Sequence, residues 1–124
     1  MLHISQLGRV LVPVADQDEA IAFYTDKLGF TVAADVPFGE GSRWVEVAPP
    51  GGGANIALTP PQGAFTPGRM TGISLSSRDV AADHSAFTER GVDADELLGG
   101  DGEVPLLFFF RDNNGNQLMV AEGG

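Results

Sequence analysis

Two stretches of the chain carry the same pattern of apolar and polar positions. In "RVLVPVADQDEAIAFYTDK", which starts at Arg9, Val10, Val12 and Val14 fall on every second residue, the period of a strand with one covered face. An offset of 63 brings this stretch onto "GISLSSRDVAADHSAFTER", which starts at Gly72, with Ile73 and Leu75 as the covered residues. Asp16 then matches Asp79, Tyr24 matches Phe87, and Thr25-Asp26-Lys27 matches Thr88-Glu89-Arg90. Each aspartate stands where a helix should begin: a carboxylate there accepts from free backbone N–H groups and complements the helix dipole. Glu19 completes a capping-box pattern with Asp16. The spacing predicts helices over about 17–28 and 80–90, each stopped by a glycine, Gly29 or Gly91.

Three strands are predicted after each helix: 31–37, 42–48 and 54–59 in the first copy, and 92–97, 104–111 and 116–121 in the second. "APPGGGAN" turns the last pair of the first copy and "DNNG" the last pair of the second. Residues 60–70, "PPQGAFTPGRM", are rich in Pro and Gly and read as a linker. The plan is therefore an α+β chain of two βαβββ modules, about 7–59 and 71–121, within one domain of 124 residues.

Each helix must cover one face of its sheet, so alternation assigns the other face. With Val45, Val47, Ile56 and Leu58 inward, Trp44, Glu46 and Asn55 join Arg9 on the uncovered side. With Leu118 and Val120 inward, Gln117 and Met119 take that side. Pairing across "DNNG" sets Phe108 opposite Met119 and Phe110 opposite Gln117, which places Phe108 and Phe110 on the uncovered face and Phe109 in the core. Apolar walls carrying a few polar groups describe a small-molecule site.

Composition narrows the chemistry. Net charge is -10, which argues against nucleic acid and against anionic membrane surfaces, and suits a cationic ligand. There are no cysteines, which removes thiolate nucleophiles, disulfides and Cys-ligated metals. No apolar run approaches the 20 or so residues that span a bilayer, and no signal peptide precedes the first strand, so a cytoplasmic location is expected. His84 shares a helix face with Val80 and Phe87 and reads as structural; His3 lies in the N-terminal lead-in. "APPGGGAN" joins two strands and opens no helix, so it is a turn and not a phosphate loop.

"GRVLVPVADQDEAIAFYTDKLGF" (8–30), "RWVEVAPPGG" (43–52) and "FFRDNNGNQLMV" (109–120) together resemble the vicinal oxygen chelate superfamily, which includes glyoxalase I, bleomycin-resistance proteins and extradiol dioxygenases. The resemblance implies paired modules forming a curved mixed sheet around a cleft, and a homodimer. It also implies that metal-using members draw ligands from the first and last strand of each module, places held here by Arg9, Ala57, Gly72 and Met119. None of these is a His or a carboxylate, the donors such metals need, and Met119 stands where a metal-binding Glu is expected. No metal and no cofactor is expected.

What remains is a ligand-binding set: Arg9, Trp44, Glu46, Asn55, Phe108, Phe110, Gln117 and Met119. Arg9 is either an anchor for a carboxylate or phosphate, or half of a structural salt bridge with Glu46. Glu46 is either a general base, if burial raises its pKa, or a partly solvated charge. Trp44 stacks on a planar ligand, or packs in the core or in a dimer interface. The expected function is metal-independent binding of a planar or amphipathic small molecule. The alternative is a metal-independent isomerase, lyase or cyclase with Glu46 as base and Arg9 as anion anchor. A glyoxalase-like metalloenzyme ranks last.

Overall fold

A computed structural model describes residues 2–123. The chain divides into two compact units between Thr66 and Pro67, inside the linker predicted from composition. The first unit contains β1 (Arg9–Pro13), α1 (Gln17–Ala22, continued by a π-helical turn, Phe23–Lys27), β2 (Thr31–Pro37), β3 (Arg43–Ala48) and β4 (Asn55–Thr59). The second contains β5 (Met70–Ser77), α2 (Val80–Glu89), β6 (Asp93–Ala94), β7 (Leu107–Arg111) and β8 (Gln117–Glu122). Each unit is a four-stranded mixed sheet, ordered β1-β4-β3-β2 in one and β5-β8-β7-β6 in the other. The first and last strands of each unit pair in parallel and the other neighbours pair antiparallel. The fold is α+β.

The helix starts form as the aspartates dictate. Asp16 Oδ1 accepts from the Glu19 backbone N–H at 2.9 Å, and Asp79 Oδ1 from that of Ala82 at 3.0 Å. Gly29 and Gly91 end the helical segments in the left-handed region, at φ 77° and 75°. Between cap and glycine the first segment is one residue longer than the second, and the π-helical turn takes up that residue. The chain then leaves both helices alike: the Phe30 N–H donates to the Tyr24 carbonyl, and the Val92 N–H to that of Phe87, each at 2.9 Å.

Val12, Val14, Tyr24, Val45, Val47 and Leu58 are fully buried in the first unit. In the second unit the structure corrects the predicted faces of β7. Phe109 pairs with Met119, Phe108 with Val120 and Phe110 with Leu118, one residue away from the expected register. Phe108 and Phe110 therefore lie under α2, wholly buried, with ring centroids 5.4 and 5.0 Å from Phe87, and Phe109 takes the uncovered face. The cause is loop length. "DNNG" read as a two-residue hairpin pairs Asp112 with Gly115. Instead the Asp112 N–H donates to the Asn116 carbonyl at 2.9 Å and the Gly115 N–H to the Asp112 carbonyl at 3.0 Å. That makes a three-residue loop with Gly115 at φ 77°, and a one-residue change in pairing exchanges the faces of a whole strand.

The loop is held from inside. Asp112 and Asn116 are both buried. Asp112 Oδ1 accepts from the backbone N–H of Asn114 at 2.8 Å and of Asn116 at 3.1 Å, and Oδ2 accepts from Asn116 Nδ2 at 3.1 Å. The predicted strand 92–97 is cut to Asp93–Ala94, and β7 begins at Leu107 where a start at 104 was expected. Pro105 has no N–H to give a ladder, and Gly99 and Gly100 turn the chain at positive φ. On the predicted strand's line, Leu98 makes only an isolated bridge to Leu107.

Asp112→Ala removes three accepted bonds inside a buried loop, so it should destabilise the protein by about 3 kcal/mol. Gly115→Ala should cost about 1–2 kcal/mol through its positive φ. Urea unfolding followed by circular dichroism reads both; unchanged midpoints would mean that the loop does not hold the β7–β8 register.

Candidate functional site

On the uncovered face of the first unit, four residues predicted from alternation meet. Arg9 opens β1 and pairs with Asn55 at the start of β4. Trp44 and Glu46 lie two apart on β3, and Glu46 pairs with Ala57, two residues along β4 from Asn55. Neighbours on one pleated face are within reach of long side chains, and they converge on the Glu46 carboxylate. Glu46 Oε2 accepts from Arg9 Nε at 2.8 Å and from Trp44 Nε1 at 2.7 Å, and Oε1 accepts from Asn55 Nδ2 at 3.0 Å.

Glu46 is only 6% exposed, which overturns the picture of a partly solvated charge. Its pKa is also not raised, as a general base would need. The Asn55 hydrogen bond, then those of Trp44 and Arg9 and the Arg9 charge, outweigh desolvation and hold it below the ordinary glutamate value of 4.5. Phe38 stands edge-on to Trp44, ring centroids 6.0 Å apart. Ion pairs with surface aspartates also occur within each unit: Arg43 with Asp18 and Asp35 in the first, Arg111 with Asp93 and Asp95 in the second. Pairs of that kind add little stability.

In the second unit the corresponding face is apolar. It holds a shallow depression of about 220 Å³, lined by Met70, Gly72, Ile73, Phe109, Gln117, Leu118 and Met119. Gln117 and Met119 are there as expected. Phe108 and Phe110 are not, and Phe109 replaces them because of the register. Met70 went unread, and Ile73, expected on the covered side, lines the depression. The depression forms where β5 bulges: between the pairs Met70–Gln117 and Ser74–Met119, β5 has three residues and β8 one. Gly72 bends there at φ 78°, and Thr71 Oγ1 ties the bulge to the Gln117 carbonyl at 2.8 Å. A glycine within a strand is the signal that marks such a bulge.

The four places at which the resemblance implies metal ligands are poor in donors. Arg9 is committed to Glu46, Ala57 is fully buried, Gly72 bends the bulge and Met119 walls the depression. No imidazole or carboxylate stands at any of the four, so these residues do not fit a divalent metal. Among the described residues no group of three or more His, Asp or Glu is placed to hold one. His84 is structural: its Nε2 lies 2.8 Å from the Asp95 carbonyl and its ring is edge-on to Phe108. Among the described residues no helix is long and apolar enough to cross a membrane.

Residues 6–120 match the Glyoxalase/Bleomycin resistance protein/Dioxygenase superfamily. The chain belongs to this superfamily. It is 33% identical to the YetH protein of Bacillus subtilis (strain 168), over 96% of this chain and 99% of that one. Among solved structures it is similar to TnmS3, an antibiotic binding protein from Streptomyces sp. CB03234, at 32% identity and a TM-score of 0.86 over the full length of both chains. A member of the superfamily from Sphaerobacter thermophilus DSM 20745 matches at 33% identity and a TM-score of 0.90, over 98% of this chain and all of that one.

The lowered pKa sets a sign for Glu46. A carboxyl whose folded pKa is depressed contributes stability that is full above the unfolded value, near 4.5, and lost as pH falls through the lower folded value. Glu46→Gln should therefore be about 2 kcal/mol less stable at pH 7. Urea unfolding of both proteins at a series of pH values should show the gap narrowing below pH 4.5. A gap that stays constant down to the acid limit of folding would remove the charge from the explanation.

Proposed function

We propose that this superfamily member is a metal-independent small-molecule binding protein that holds a planar or amphipathic ligand. The carrying observation is that both Glu46 oxygens are occupied by donors of the same chain. A carboxylate used in this way orients its neighbours and is a poor proton acceptor. The depression walled by Phe109 and Met119 supports apolar contact. At about 220 Å³ it is smaller than the roughly 300–1,000 Å³ of common ligand pockets, and so suits part of a drug-sized molecule. Full-length similarity to an antibiotic binding protein points the same way.

The isomerase, lyase or cyclase reading needs Glu46 to take a proton near neutral pH, and its low pKa opposes that. A glyoxalase-like metalloenzyme needs donors that Arg9, Ala57, Gly72 and Met119 do not supply. The homodimer remains part of the proposal. Leu2, Ile4 and Leu7 are more than 70% exposed, an apolar surface that a second copy would cover.

Trp44 is the single tryptophan and reports on its own surroundings. Titration with planar aromatic cations, neutral analogues and carboxylates should give saturable quenching by at least one class. Calorimetry with that compound should show about tenfold weaker binding for Trp44→Ala, the loss expected for one aromatic contact. A flat response to every class, by fluorescence and by calorimetry, would refute the binding function.

A further inference from the structure

Three donors share the Glu46 carboxylate, but they do not share its burial. The Glu46 side chain is 8% exposed and that of Arg9 50%. The negative charge lies within the sheet face and the positive charge on its outside. Arg9 spends only its Nε on Glu46; among the described residues Nη1 and Nη2 donate to no other protein group. A guanidinium held by Nε keeps its plane and presents its two terminal nitrogens as a fork, the geometry that matches a carboxylate. Trp44 Nε1 donates to the same oxygen as Arg9 Nε, so the guanidinium and the indole are neighbours pinned by one atom. The indole N–H is consumed, which leaves the ring itself for contact, with Phe38 set at 74° to it and 6.0 Å away between centroids.

We infer that this face of the first unit recognises a planar aromatic carboxylate, with the Nη1/Nη2 edge of Arg9 paired to the carboxylate and Trp44 against the ring. This rests on the binding function above and names its ligand class. It departs from the cationic ligand suggested by the net charge of -10. That charge is spread over the chain and is screened within about 10 Å in ordinary salt, whereas contact with the ligand is made by Arg9. A cation would meet the guanidinium first, and would reach Glu46 only by displacing the bonds that satisfy it.

The test is calorimetry of the full chain at pH 7 with three probes of one shape: 2-naphthoate, 2-naphthamide and 2-naphthylmethylammonium. Naphthoate should bind about tenfold or more tightly than either of the others, the margin of one charge-assisted fork. Arg9→Lys keeps the charge and loses the fork, so it should weaken naphthoate about tenfold and leave naphthamide unchanged. Arg9→Gln is the second variant, and thermal melts establish that both are folded. If neither folds, the order of the three probes on the native protein decides. Ammonium binding as tight as naphthoate, naphthoate affinity unchanged in a folded Arg9 variant, or no naphthoate binding at millimolar concentration would each overturn the inference. Binding of the amide or the ammonium without a preference for the acid would do so while leaving the binding function standing. Silence from all three and from the broader titration would remove both.

Discussion

Each unit has four strands and one short helix, and a single helix covers only one face of a sheet. The alternation of a strand then leaves every second residue on a face that the unit's own helix does not cover. In the first unit that face carries Arg9, Trp44, Glu46 and Asn55, joined around one carboxylate. In the second it carries Phe109, Gln117 and Met119 beside a bulge. Glu46 pairs with Ala57 and Phe109 with Met119, so the buried charge of one unit and the aromatic wall of the other hold corresponding places in a repeated plan.

A buried carboxylate is costly unless its oxygens are fully hydrogen-bonded, and this requirement organises the polar face. Arg9, Trp44 and Asn55 come from three neighbouring strands, so satisfying Glu46 also fixes the relative positions of β1, β3 and β4. The result is a rigid group whose charge is neutral in sum and asymmetric in depth. Its chemistry is recognition: the anion is sealed, the cation is presented, and the indole is locked beside it.

Much of this was legible in residue types. Asp16 and Asp79 announced the helices, Gly29 and Gly91 their ends, and strict alternation placed Arg9, Trp44, Glu46 and Asn55 on one face. What escaped was set by counts of single residues. Whether "DNNG" closes a two- or a three-residue loop depends on buried bonds between Asp112 and Asn116 that composition does not display, and that difference moved Phe108 and Phe110 into the core. The depression depends on extra residues in β5 around Gly72, which alternation alone reads as a regular strand. The state of Glu46 depended on three partners from separate strands, and so on tertiary structure.

The π-helical turn at Phe23–Lys27 has a historical consequence. The two units match at an offset of 63 up to Lys27 and Arg90, and at 62 at Gly29 and Gly91. If the units descend from one duplicated ancestor, a single codon was gained or lost within this helix after the duplication. A widened turn absorbed it, and the strands beyond kept their places. The two copies were then free to diverge, one towards charge and the other towards grease, without losing a common frame.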